Sequence, residues 1–246
     1  MTTIPSVPDH AAAAELQRYA RAAGVAMLLS IIFGALGEAY IPGRIIVQGD
    51  AAATAAKIVA HPMLFRVGFA TYLVEGICDV ALSVIFYILL RPVNRNLALI
   101  SAFFGIASMV TFASAESSYY VASLVVRDAA GMGAFTAEQR NALALLALRI
   151  SATIAGLFLA LYGIATMIRG YLIMRSGYFP AVFGVLFIIA GAGFFIRTAT
   201  FLLAPTYSKD YLLFPMAVAG ITFMLWLLIR GGRIGHAAGP LLAPTI

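Results

Sequence analysis

Leu64–Leu90 reads LFRVGFATYLVEGICDVALSVIFYILL, with Arg66, Glu75 and Asp79 as its only charges. A helix needs about 20 apolar residues to cross the hydrocarbon of a bilayer. Lipid offers no hydrogen bonds to backbone N–H and C=O groups, so an apolar run of this length folds as a helix. Being longer than a minimal span, it must tilt or protrude. Five further runs have the same character: Ala22–Ile41, Leu97–Val125, Ala142–Ile168, Ala181–Ala204 and Tyr211–Ile229.

The composition agrees. The 246 residues are 63% hydrophobic and 11% charged, and the mean hydropathy is +0.98. A soluble domain has about 45–50% apolar and about 25% charged residues. The predicted fold class is therefore all-α: a polytopic membrane protein with six transmembrane helices in one bundle, residues 21–230. It lies between an N-terminal tail, residues 1–20, and a flexible tail rich in Gly, Ala and Pro, residues 231–246. The first basic residues, Arg18 and Arg21, come too late for the n-region of a cleaved signal peptide, so the first apolar run is read as a retained span.

Net charge is +6 and the pI is about 9.7. The basic residues gather at helix ends, which is a topology signal and excludes nucleic acid as the expected partner. One side carries Arg18, Arg21, Arg91, Arg95, Arg169, Arg175, Arg230 and Arg233. The other carries Arg44, Lys57, Arg127, Arg140 and Lys209, balanced by Asp50, Asp128, Glu138 and Asp210. The positive-inside rule then predicts both termini in the cytoplasm.

Two outer loops carry helix starts. Asp50 is a good N-cap for a short Ala-rich helix over Ala51–Ala60, ended by His61-Pro62. That helix is too short to span, so it is expected on the membrane surface or over the bundle mouth. Thr136 and Gln139 have capping-box spacing at the start of the fourth span.

The stretch Pro42-Gly43-Arg44-Ile45-Ile46-Val47-Gln48-Gly49-Asp50-Ala51-Ala52-Ala53-Thr54-Ala55 and the turns Leu90-Arg91-Pro92-Val93-Asn94-Arg95 and Arg175-Ser176-Gly177-Tyr178-Phe179-Pro180 resemble the bacterial family called domain of unknown function 4386. The likeness covers roughly residues 20–230. It implies a small multispanning bacterial membrane protein, placed in the inner membrane. It carries no activity, and no site residue is transferred from it.

Seven ionisable side chains fall inside the spans: Glu38, Arg66, Glu75, Asp79, Glu116, Arg149 and Arg197. A charge in hydrocarbon costs several kcal/mol unless paired or wetted, so such residues mark polar interiors. At ~1.5 Å of rise per residue, Arg66 and Glu38 lie within roughly 5 Å of the outer ends of their spans, Arg149, Arg197 and Glu116 about 10–12 Å in, Glu75 roughly 16 Å in, and Asp79 another ~6 Å deeper. The agreement in depth predicts one polar pocket open to the outer side, in which acids of spans one to three face arginines of spans four and five. Arg149 shares a face with Thr153, Gly156, Ala160 and Gly163, and Arg197 with Ala190, Gly193, Thr200 and Ala204, so both are expected at helix interfaces. Tyr119 lies near the Glu116 face and either donates into the pocket or belongs to an aromatic belt.

Glu75 and Asp79 are one turn apart. Two carboxylates so placed in low dielectric suit proton coupling or acid–base work; the plainer alternative is hydrogen bonding to nearby hydroxyls or to an arginine. Glu116, Arg149 and Arg197 read either as a structural ion-pair network or as a site for a carboxylate or phosphate. Cys78 is the only cysteine, and His10, His61 and His236 lack metal-ligand spacing, so no metal and no cofactor are expected.

The expected function is binding or transport of a small anionic or amphiphilic ligand at Glu38, Glu75, Asp79, Glu116, Tyr119, Arg149 and Arg197, with membrane lipids around it and a homo-oligomer as a further arrangement. Two alternatives remain. One is an intramembrane enzyme acting on a lipid or isoprenoid, although the chain has no G-x-S-x-G elbow, no D-D-x-x-D-like run and no zinc-ligand set. The other is a structural or regulatory subunit, with Gly34, Gly37, Gly184, Gly191 and Gly193 making interfaces, although intramolecular packing is the commoner use of such glycines.

Overall fold

The computed structural model describes residues 7–127 and 131–231. The C-terminal tail from residue 232, with Arg233 and His236, lies outside the described residues, as do the first six residues of the N-terminal tail, Asp128 and the side chain of His10. Among the described residues there are helices and turns and no strand.

Among the described residues, six helical segments are long and apolar enough to cross a membrane: Ala14–Ile45, Pro62–Leu90, Arg95–Arg127, Ala137–Arg175, Ala181–Leu203 and Asp210–Arg230. They coincide with the six runs of the sequence but extend beyond most of them, because helical hydrogen bonding continues past the last apolar residue. We number the α-helices α1 (Val7–Gly34), α2 (Ile41–Ile45), α3 (Ala51–Ala60), α4 (Pro62–Leu90), α5 (Arg95–Arg127), α6 (Ala137–Arg175), α7 (Ala181–Leu203) and α8 (Phe214–Arg230). A π-helical turn, Ala35–Tyr40, joins α1 to α2 without a break, and a 3₁₀ turn, Asp210–Leu213, leads into α8. The part of the N-terminal tail from Val7 onward is thus helical.

Both predicted caps form. The Asp50 carboxylate accepts from the Ala53 N–H at 2.8 Å. The Gln139 N–H donates to Thr136 Oγ1 at 3.2 Å while the Thr136 N–H donates to Gln139 Oε1 at 2.8 Å, so each satisfies an orphan donor of the other.

The chain divides into two compact units. The first holds residues 7–28, 78–107 and 159–231; the second holds Leu29–Ile77 and Ser108–Phe158.

In the first unit α6 and α7 meet backbone to backbone. A Cβ placed on Gly163 would lie 2.6 Å from the Gly191 carbonyl oxygen, and one on Gly170 equally close to that of Gly184. Glycine on both sides removes the spacer that every other residue carries, which lets dispersion and Cα–H···O contacts hold helices together where lipid provides no hydrophobic drive. Gly184 and Gly191 therefore serve intramolecular packing. Ser101 of α5 donates to the Ala165 carbonyl of α6 at 2.9 Å. Phe223 of α8 is fully buried against Phe86, Phe179, Phe183 and Phe187, with Trp226 alongside. The α6–α7 turn is fixed by Gly177, at φ +72°, and by Tyr178, whose hydroxyl donates to the Leu89 carbonyl at the end of α4. Burial pushes the Tyr178 phenol above its ordinary value, so it stays a neutral donor.

In the second unit the first helical segment crosses α4 at Gly34, Gly37 and Gly68, and α4 stacks its aromatic side chains on α5.

Gly184→Leu should prevent the α6–α7 approach. A Cβ there falls 2.5 Å from the Gly170 carbonyl oxygen, which cannot move aside. Overpacking of this kind costs about 1–3 kcal/mol or more. Thermal unfolding in detergent should show a clear fall in Tm, whereas Gly43→Ala, where a Cβ meets nothing within 4 Å, should leave Tm close to wild type.

Candidate functional site

Glu38, Glu75 and Glu116, one acid from each of the first three spans, lie in the second unit, around Tyr72. On α4, Thr71, Tyr72 and Glu75 point at the first helical segment. That segment is bare where they arrive: a Cβ on Gly34 would lie 2.6 Å from Glu75 Oε1, and one on Gly37 2.5 Å from Thr71 Oγ1. The two glycines thus make room for polar side chains rather than for another backbone. Tyr72 donates to the Gly37 carbonyl at 2.6 Å. Thr71 donates back to the Gly68 carbonyl, also at 2.6 Å.

The Gly37 carbonyl belongs to the π turn, whose wider winding is seen where the Ile41 N–H reaches the Leu36 carbonyl, five residues back. One inserted residue of this kind re-aims the side chains beyond it, and single π turns recur at functional sites. Glu38 sits on this turn and is exposed.

From α5 come Phe112, Glu116 and Tyr119, on one face at helical spacing. The Tyr119 ring stacks on Phe65 at 4.5 Å and meets the Tyr72 ring edge-on at 5.8 Å. Phe112 packs edge-on against Tyr72 at 5.6 Å and against Phe158 of α6 at 4.9 Å. Glu38, Glu75 and Glu116 all act electrostatically on Tyr72, and Glu38 acts on Glu116. The result is three carboxylates and two tyrosines in an aromatic setting.

Glu116 is 7% exposed and Tyr119 3%. Glu116 Oε2 and the Tyr119 hydroxyl have no hydrogen-bond partner among the described residues. A buried polar atom left unsatisfied costs about 1–3 kcal/mol, and more when charged. Each keeps a hydrogen-bonding capacity that the described residues do not use: the carboxylate oxygen as an acceptor, the hydroxyl as a donor or acceptor.

The other ionisable residues expected in the spans are Asp79, Arg197, Arg149 and Arg66. Asp79, one turn beyond Glu75 along α4, is buried and belongs to the first unit, where Ser83 donates to its carbonyl at 2.9 Å. Arg197 also belongs to the first unit and bonds Asp210 through Nη2 at 3.1 Å. Asp210 is 13 residues away and opens the last span, so no helical period in the sequence pairs it with Arg197. Arg149 and Arg66 are exposed. The expectation that Arg149 points into a helix interface is corrected: Arg149 and Thr153 are exposed, and on that face burial begins only at Gly156 and continues at Gly163. Among the described residues no group of three or more His, Cys, Asp or Glu side chains is placed to hold a metal ion.

Sequence reasoning missed Thr71, Tyr72 and the π turn. Tyr72 was detectable as the hydroxyl three residues before Glu75, on the same helical face. The π turn has no comparable signature.

Tyr72→Phe should keep the ring contacts and lose the bond to Gly37. The expected cost is about 0.5–1.5 kcal/mol. A fall of a few degrees in Tm, followed by circular dichroism in detergent, would check it; an unchanged Tm would mean the hydroxyl contributes nothing to the π turn.

The profile of DUF4386, described as a domain of unknown function, matches residues 22–231. An uncharacterised protein of Archaeoglobus fulgidus is 27% identical over 160 residues, which is 65% of this chain and 81% of that protein. No solved structure matches the chain. With nearly the whole described chain matched, including the acid–tyrosine cluster, the protein belongs to the DUF4386 family.

Proposed function

We propose that the protein binds an amphiphilic ligand within the membrane, its cationic or hydrogen-bond-donating head held by Glu38, Glu75, Glu116, Tyr72 and Tyr119. The observation that carries this reading is the pair of unsatisfied buried atoms, Glu116 Oε2 and the Tyr119 hydroxyl. A bound ammonium would give the carboxylates a counter-charge and would face tyrosine and phenylalanine rings, which attract cations. The apolar part of such a ligand matches the surrounding Phe65, Phe112 and Phe158. An anionic head is less well supported, because Arg149 is exposed and Arg197 already holds Asp210. Carriage of the ligand across the membrane is the natural use of a site built from spanning helices.

The site is tested with a lipophilic cation, tetraphenylphosphonium, and an alkylammonium, dodecyltrimethylammonium, by equilibrium dialysis on protein in nanodiscs. Glu116→Gln keeps size and hydrogen-bonding capacity but removes the charge; it should weaken binding of both about tenfold or more, the equivalent of ~1.4 kcal/mol or more. Arg149→Ala should bind as wild type does. Equal affinity in wild type and Glu116→Gln would sink the proposal.

The location proposed is the cell inner membrane, with both termini and the turns bearing Arg91, Arg95 and Arg175 in the cytoplasm. A green fluorescent protein fused after Ile246 should fluoresce, and alkaline phosphatase fused there should be inactive; the opposite pattern would reverse the topology.

A further inference from the structure

The short helix α3 joins two spanning segments and is too short to span, so it lies at one face of the membrane. The end of α5 and the start of α6 belong to the same face, because α5 runs back from the opposite end of α4. All three segments are in the second unit. The helix has more apolar surface than its packing uses. Thr54, Ala55 and Ile58 are buried, and Thr54 Oγ1 accepts from the Val47 N–H at 3.0 Å, which ties α3 to the loop before it. Ala52, Ala56, Val59 and Ala60 recur at spacings of three and four on a further face and are exposed, Val59 by 54%.

With Ala55, Val126 of α5 and Asn141 of α6, these residues line an open groove of about 440 Å³. Small-molecule sites have volumes of about 300–1,000 Å³. A lining of alanine and valine offers dispersion contacts and almost no hydrogen bonds, which suits a flexible hydrocarbon chain. The rim is basic. Each segment that lines the groove carries a cation next to a lining residue: Lys57 after Ala56, Arg127 after Val126, and Arg140 before Asn141. Arg127 is exposed, and Lys57 and Arg140 are half-buried. Among the described residues none of the three is in a salt bridge. The nearby acids among the described residues are placed at helix starts: Asp50 accepts from the Ala53 N–H, and Glu138 is in the first turn of α6. Negative charge is favourable at a helix N-terminus. Guanidinium forks match phosphate oxygens in geometry and in charge.

We propose that the groove is a lipid site: one acyl chain of an anionic phospholipid lies along Ala52, Ala56, Val59 and Ala60, and Arg127 and Arg140 hold its phosphate at the rim. The position of the groove sets the occupant, since at the membrane face it meets phospholipid, apolar along its chains and anionic at its phosphate. The site shares no lining residue with the acid–tyrosine cluster and stands without it.

The test uses the full chain in nanodiscs doped with a phosphatidylglycerol or a phosphatidylcholine that carries a diazirine in one acyl chain. Crosslinks are mapped by peptide mass spectrometry. Phosphatidylglycerol should label α3 and the peptides holding Val126 and Asn141 more densely than Phe103 and Val110, which are exposed on α5. It should label them about fivefold or more above phosphatidylcholine, the effect expected of one or two arginines beside an anionic lipid. Ala56→Phe fills the groove from an exposed position, as does Ala52→Phe; either should remove the excess label at α3 and leave that at Phe103 and Val110, with Tm showing that the fold is kept. Arg127→Gln combined with Arg140→Gln should abolish the preference for phosphatidylglycerol. The proposal is overturned if α3 is labelled no more densely than Phe103 and Val110, if the two lipids label it equally, or if both filling variants leave the label unchanged. A dimer in native mass spectrometry that Ala56→Phe dissociates would also overturn it, since a second copy would then occupy the groove.

Discussion

Lipid supplies the backbone with no hydrogen bonds and gives apolar helices no hydrophobic reason to associate, so close packing must hold them. In this chain glycine provides that packing, with two different outcomes. At Gly163, Gly170, Gly184 and Gly191 glycine faces glycine, and two backbones come into contact. At Gly34 and Gly37 glycine faces Glu75, Thr71 and Tyr72, and polar side chains enter the space a Cβ would have filled. The first arrangement gives the first unit a rigid helix pair. The second gives the other unit a polar interior. The same missing methyl group thus serves stability in one place and chemistry in the other.

The polar interior depends on Tyr72. Its hydroxyl is committed to the Gly37 carbonyl, which belongs to a turn whose hydrogen bonds are widened to five residues. Its ring lies between Phe112 and Tyr119. With the tyrosine held at both ends, Glu116 and Tyr119 are positioned by packing rather than by bonds to each other, and their free atoms follow from that. A site fixed by its apolar neighbours keeps its polar atoms available to a ligand without first breaking internal hydrogen bonds, which lowers the reorganisation that binding requires.

The fold was legible in the sequence because its determinants are local. Six apolar runs, an Asp50 cap and the Thr136–Gln139 capping box need only period and neighbours to be read, and all are present. The site was half legible. Glu38, Glu75, Glu116 and Tyr119 come together as depth along the spans suggested. The arginines were less legible: Arg149 is exposed, and Arg197 finds Asp210, an acid that the sequence assigned to a loop. Arg169 was misplaced for a related reason. Ending the fourth span at Ile168 made it a surface residue, whereas the helix runs on to Arg175 and carries Arg169 inside.

Glu75 and Asp79 stand one turn apart on α4. Their spacing suits a single acid–base device, and each also has neighbours of its own. Glu75 meets Gly34 and acts on Tyr72. Asp79 shares its face of α4 with Ser83 and Phe86, the residues that surround Arg169. In a helix the i and i+4 positions stand about 6 Å apart along the axis, so each also meets neighbours the other does not. The acid beside the tyrosines and the acid on the arginine's face of α4 thus meet different neighbours.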